Sequence, residues 1–189
     1  MASAPPNWFI AWPVDAPALT RSLRRELPAG LRCIADADLH ITLAFLGSVG
    51  EARAHDAWAH ALTLPCPVFD VAAQRLVALG KPSRPSAYGV MFDDEQGSLA
   101  DFIGQHRDAL RESAGVDAES RPPLPHLTLA RPPRSAGPVI RKCASDWIDD
   151  GELPSTRLLL DRLALYTRAP DGHASRFQRV AERCSPART

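Results

Sequence analysis

The sequence predicts an α+β fold, mainly antiparallel and arranged as two similar halves. Three observations predict it. The 189-residue chain is 45% apolar with 22 basic and 22 acidic side chains, a soluble globular composition that excludes disordered, collagen-like and membrane-spanning classes. Its strand and helix signals alternate too loosely for the strict strand–helix–strand repeats of a doubly wound parallel sheet. A five-residue segment, His40-Ile41-Thr42-Leu43-Ala44, also returns 86 residues later as His126-Leu127-Thr128-Leu129-Ala130. At this length roughly 70% of the extended chain's surface can be buried, so a core forms without disulfides or a structural metal.

The elements follow in order. Trp8 to Trp12 reads as a buried strand, and Asp15 as the cap of a helix to about Leu27, with Leu19 and Leu23 on one face and Pro28 and Gly30 as its stop. Leu31 to Ala35 and Leu39 to Leu46 read as strands, the second alternating apolar and polar and ending at Gly47. A helix over Glu51 to Leu62 precedes strand-like segments near Val68 to Ala72, Arg75 to Leu79 and Ala87 to Phe92, with a Lys-Pro-Ser-Arg-Pro-Ser turn before the last. The clearest helix is Ser98 to Ser113, where Leu99, Phe102, Ile103, His106 and Leu110 share a face and Gly115 closes the end. Leu124 to Arg131 is a strand fenced by prolines, Val139 to Ile148 a short helix, and Arg157 to Arg168 and Arg176 to Arg183 are two closing strands.

Zero formal net charge argues against a surface that attracts nucleic acid everywhere, so any phosphate site must be local. The charge is uneven: from Arg131 onward there are 11 basic and 7 acidic residues. Arginine outnumbers lysine 20 to 2, which suits bidentate phosphate contacts and which genomic base composition also explains. Cys33, Cys66, Cys143 and Cys184 have no metal or redox spacing and read as buried thiols. The first residues carry no basic charge, and Pro13 interrupts the apolar stretch that follows, so no secretory leader and no membrane span is expected, and the cytoplasm is the expected location.

The repeat is the informative feature. A single H-x-T-L match arises by chance about 0.03 times in a chain of this composition, and two matches far more rarely. On a strand, residues i and i+2 leave the same face about 6.5 Å apart, so His40 pairs with Thr42 and His126 with Thr128. Leu39, Ile41, Leu43, Phe45, Leu127 and Leu129 then point into the core. If the halves pack with approximate two-fold symmetry, two imidazoles and two hydroxyls converge on one small anion. One neutral imidazole accepts a proton from water while the other, protonated, donates to a leaving oxygen. The threonine hydroxyls steady the charge that develops on non-bridging phosphate oxygens. This chemistry requires no metal and no cofactor.

Leu39-His-Ile-Thr-Leu-Ala-Phe-Leu-Gly47 and Arg121-Pro-Pro-Leu-Pro-His-Leu-Thr-Leu-Ala-Arg131 resemble the two motif blocks of the 2H phosphoesterase superfamily, and within it the bacterial RNA 2′,3′-cyclic phosphodiesterases also called 2′-5′ RNA ligases. Trp8 to Pro13 and Ala164 to Thr167 are similar to the opening and late strands of that family. The resemblance implies a bilobal fold, a single domain over residues 1–189 with helices on the outer faces and the motifs at 40–43 and 126–129 facing each other across a central cleft. It implies His40 as proton donor to the 3′ oxygen and His126 as proton acceptor from water. Hydrolysis would leave a 2′-phosphate, and an RNA 5′-hydroxyl in place of water would give a 2′-5′ linkage. The expected partners are RNA ends or nucleotides carrying a 2′,3′-cyclic phosphate, bound by a monomer away from membranes. The sequence departs from the family's habit at Cys33, where Trp is usual, at Asp38, where Asn is usual, at Pro123, where an aromatic is usual, and near Asn7, where an arginine is usual.

Alternatives keep the site but change its use: a phosphodiesterase of small cyclic nucleotides or 2′-5′ oligonucleotides, or a module that binds RNA ends without turnover. Arg131 is a candidate phosphate contact by resemblance, although strict strand parity turns it away from His126. Arg121 either neutralises RNA or caps a loop. Tyr166 is the aromatic expected to stack on a base, since Phe45 alternates to the core. His55, His60, His106 and His173 read as structural. No P-loop, dinucleotide fingerprint or nucleophile elbow occurs.

Overall fold

The computed structural model describes residues 5–185; the first four residues, part of the opening read as lacking a leader's charge, lie outside the described residues. Nine strands pair antiparallel throughout: β1 (Trp8–Pro13), β2 (Arg32–Cys33), β3 (His40–Gly47), β4 (Phe69–Lys81), β5 (Arg84–Asp93), β6 (His126–Arg131), β7 (Arg157–Leu160), β8 (Arg162–Arg168) and β9 (Phe177–Cys184). Four helices accompany them: α1 (Pro17–Glu26), α2 (Glu51–Thr63), α3 (Ser98–Ser113) and α4 (Pro138–Asp150). The strand order β7-β4-β5-β6-β3-β1-β8-β9 places four strands on each side of the β6–β3 junction, with β2 against β6. The expected α+β class with a large antiparallel sheet is what the chain adopts.

The two motif strands are the innermost of each half. They pair at Ile41–Leu127, and further along β6 takes β2 as its neighbour through Arg32–Arg131 and Cys33–Ala130. One apolar cluster joins the sheet to the helices: Leu19 and Leu23 of α1, Trp58 of α2, Leu99, Ile103 and Leu110 of α3, and Trp147 of α4 meet Ile41, Leu43, Leu127 and Leu129. Each such large side chain stabilises the fold by about 1.5–3 kcal/mol when fully buried. Alternation along β1 sends Trp8, Ile10 and Trp12 to this core and Phe9 and Ala11 to the other face, where they pack with Ala164 and Tyr166 in a small second cluster.

Several local expectations need correction. The cysteines are not buried: Cys33, Cys143 and Cys184 are exposed and Cys66 is half-buried. Asp15 does not cap α1; Ala16 holds that position with no side-chain bond, and Pro17 starts the helix, where its missing N–H costs nothing. The segment Leu31 to Ala35 supplies only the two strand residues of β2. The pair of segments around Val68 and Arg75 is one strand, β4, with an irregularity between Ala73 and Arg75. Arg84, Pro85 and Ser86 belong to β5 rather than to a turn. The stretch from Arg157 to Arg168 is two strands broken at Asp161, of which β7 joins β4 in one half and β8 joins β1 in the other.

Candidate active site

Both motif strands share one burial pattern. His40 and Thr42 are half-buried, Ile41 and Leu43 are buried, Ala44 is also buried, and Phe45 emerges; His126 to Arg131 repeats this residue for residue. The register explains it. Partners run Ile10–Ala44 and then Ala11–Thr42, and likewise Tyr88–Ala130 and then Gly89–Thr128, so Leu43 and Leu129 are each the extra residue of a bulge. A bulge reverses the parity beyond it. Phe45, 49% exposed, therefore reaches the cleft instead of the core, and Arg131 reaches the cleft in spite of strict alternation. At the second bulge the strands approach so closely that a Cβ on Gly89 would lie 2.1 Å from the Leu127 carbonyl oxygen.

A cleft of about 280 Å³ is lined by His40, Thr42, His126 and Thr128 together with Phe45, Arg131 and Arg176. Each imidazole is oriented alike: His40 Nδ1 lies 2.6 Å from the Asp38 carbonyl oxygen and His126 Nδ1 lies 2.7 Å from that of Leu124, each two residues upstream. A carbonyl only accepts, so Nδ1–H donates in both rings and Nε2 is left to exchange a proton with a ligand. The threonine hydroxyls have no hydrogen-bond partner among the described residues.

The rings differ in their surroundings. Phe9 stacks on His40 at 4.6 Å between centroids, Tyr166 stacks on Phe9 at 4.9 Å, and Phe177 stands edge-on to His40 at 5.7 Å. Burial pushes His40 down from 6.5 to about 4; His126 and Arg131 add to this, against the opposing pull of the Asp38 carbonyl and carboxylate. His126 is lowered chiefly by burial and further by Arg131, against the Leu124 carbonyl. Asp38, 4% exposed, accepts the backbone N–H groups of Arg176 at 2.8 Å and Phe177 at 2.9 Å, which ties the start of β9 to the first motif.

The model of the family described as LigT like Phosphoesterase matches residues 11–87, the segment that carries the first motif. This match covers less than half of the chain and leaves the second motif outside it. Solved structures extend the likeness in fold across the second motif. E. coli LigT complexed with 3′-AMP is 21% identical, with 95% of this chain and 98% of that chain covered and a TM-score of 0.66. The Thermus thermophilus protein TT0787 is 18% identical, with 95% and 97% covered and a TM-score of 0.66. A structure described as a phosphoesterase is 18% identical, with 95% and 98% covered and a TM-score of 0.64. No curated protein matches the chain significantly.

Within this LigT-like fold, the expected residues fare unequally. His40, Thr42, His126, Thr128 and Arg131 come together in the cleft. Tyr166 does not offer itself to a base: it is 2% exposed and packed on Phe9, and burial raises its hydroxyl to about 12. Arg121 is not among the cleft-lining residues and is paired through two nitrogens with the Glu119 carboxylate, at 3.0 and 2.6 Å. Arg176 and the role of Asp38 as a tether escape sequence reasoning, because the pairing spans 138 positions. The exposure of Phe45 was legible only to a reader who saw that the repeat implies a repeated bulge. Three other histidines serve packing: His55 beside Trp8, His60 on the Ser113 hydroxyl, and His106 against Phe102. Among the described residues no helix is long and apolar enough to cross a membrane, and no three His, Cys, Asp or Glu side chains are grouped to hold a metal ion.

Proposed function

We propose that this protein is a phosphoesterase that hydrolyses RNA 2′,3′-cyclic phosphate ends to 2′-phosphomonoesters with His40 and His126 as the acid–base pair. The observation that carries the reading is the matched setting of the two imidazoles, each with Nδ1–H held by a carbonyl two residues upstream and both lining one cleft. Water attacks phosphorus while His126 Nε2 accepts its proton; the P–O3′ bond breaks and the 3′ oxygen takes a proton from His40 Nε2. Thr42 and Thr128 donate to the non-bridging oxygens, and Arg131 and Arg176 offset the phosphate charge. With an RNA 5′-hydroxyl in place of water, the same proton transfers form a 2′-5′ linkage. The crystallisation of E. coli LigT with 3′-AMP, NADP+ and ATP supports a nucleotide ligand for the shared fold.

Replacing either histidine by Ala should reduce hydrolysis by 10²- to 10⁴-fold per lost proton transfer, with the fold intact by circular dichroism. Mass and phosphorus resonance of the product identify the 2′-phosphate. Near-wild-type turnover by His40→Ala or His126→Ala would reject the assignment, and intact binding without gain of one water would make the protein an RNA-end binding module.

A further inference from the structure

Beside the cleft lies a larger trough of about 750 Å³ whose charged lining is entirely arginine. Arg131 and Arg176 belong to both cavities, so the two adjoin at these side chains. Five further guanidinium groups line the trough alone: Arg32 on β2, Arg84 on β5, Arg134 after β6, Arg141 on α4 and Arg168 on β8. Among the described residues only Arg168 of the seven has an ion-pair partner, Asp171 at 3.1 Å. Arg141 is partly engaged with the Ala136 and Pro85 carbonyls. In a chain of zero net charge this is a strong local excess.

The arrangement works against the bare fold. Arg32 and Arg131 are direct cross-strand partners, a placement that destabilises a sheet when the charges are alike. Burial and the guanidinium groups of Arg176 and Arg32 together pull Arg131 below its ordinary pKa. An anion between these groups turns that repulsion into attraction. The trough has no aromatic lining on which a base could stack, so its chemistry suits phosphodiesters rather than bases.

We propose that this trough is a strand-binding tract that grips the phosphodiesters on the 5′ side of the reacting nucleotide, and so selects oligonucleotide ends over cyclic mononucleotides. The inference rests on the cyclic-phosphate reading of the cleft. A 2′,3′-cyclic phosphate is the last phosphate of its strand, so every other phosphate lies to one side and passes through Arg131 and Arg176 into the trough. A cyclic mononucleotide has no such phosphate and leaves the tract unused. The tract, not the cleft, then decides between RNA ends and small cyclic nucleotides.

The test compares a 2′,3′-cyclic mononucleotide with a tetranucleotide bearing the same end, for the wild type, Arg84→Gln/Arg134→Gln and Arg84→Lys/Arg134→Lys. The Gln pair should raise the tetranucleotide KM about tenfold, move the mononucleotide KM by less than twofold, and lower the salt slope of tetranucleotide affinity by about 1.4, at 0.7 per lost phosphate contact. The Lys pair should restore most of the affinity. Equal effects on both substrates, or none on either, would overturn the proposal. Binding of a 3′-hydroxyl RNA tetramer, read by fluorescence anisotropy, tests the tract without turnover: if no cyclic phosphate is hydrolysed but the Gln pair still weakens this RNA, the reading of the cleft fails and the tract stands. If inorganic tripolyphosphate displaces the tetramer at equal phosphate concentration, the trough takes compact polyphosphates and the strand proposal is overturned.

Discussion

Ile41 and Leu127 form the backbone pair through which the two halves of the sheet meet. Regular antiparallel register continued on either side of that pair would set His40 across from Thr128 and Thr42 across from His126, with the imidazole-bearing residues on a diagonal of about 7–8 Å and their Cβ atoms somewhat closer. Both pair members are 0% exposed, so the spacing of the rings is held by the core. A site built this way is stiff along the strands and polar on one face only.

Both imidazoles titrate below their ordinary range, His40 at about 4. A mechanism that needs one proton shared by the pair is therefore fastest, in kcat/KM, on the acid side of pH 6.5, because kcat/KM reports the unliganded protein. An anionic phosphate between the rings favours their charged forms, so the kcat profile should peak at higher pH than kcat/KM. Rates measured from pH 4 to 9 on a cyclic nucleotide check this; a kcat/KM that still climbs above pH 7 contradicts it.

The same shift makes a stability prediction. The folded pKa of His40 lies below the unfolded value, so the unfolded chain binds the extra proton between about pH 6.5 and 4. The associated stability is fully present above pH 6.5 and is lost as pH falls through that window, by an amount on the order of 3 kcal/mol. His40→Gln removes the titrating group, and its melting temperature should fall less steeply than that of the wild type over this range. Parallel curves would mean that the ring is solvated.

Asp38 should reveal two separate roles. Its carboxylate holds two backbone N–H groups, so Asp38→Ala should cost about 2–4 kcal/mol, measured by denaturant unfolding, and should raise KM by loosening Arg176. Asp38→Asn keeps an acceptor but removes the charge that raises His40, so it should shift the acid limb of kcat/KM to lower pH with a smaller loss of stability. Identical behaviour of the two variants, with no movement of the pH profile, would contradict the electrostatic role.

The antiparallel α+β class, the helices α2, α3 and α4, and the motif residues were legible because each rests on local periodicity or on a repeat that differs at one position in five. What was not legible depends on partners far along the chain. The sheet's continuity turns on a single residue pair, and Arg157 to Arg168 reads as one strand until Asp161 sends its two parts to opposite halves. Phe45 and Tyr166 exchange places for the same reason. Alternation counts residues, whereas the bulge at Leu43 depends on which residues of β1 lie opposite.

That exchange can be tested on the substrate. Phe45 is 49% exposed at the cleft and Tyr166 is 2% exposed behind Phe9, so a base entering the cleft can stack on the first and not on the second. Stacking on an aromatic ring contributes about 1–3 kcal/mol per base, which is roughly 5- to 150-fold in affinity. Phe45→Ala should raise KM for a cyclic nucleotide within that range while kcat changes little, and should leave KM for a base-free ribose 2′,3′-cyclic phosphate unchanged. Tyr166→Phe preserves the stack on Phe9 and should leave both KM values alone. If Phe45→Ala weakens the base-free substrate equally, Phe45 shapes the cleft wall instead of holding a base, and the loss then belongs to the position of the β3 bulge.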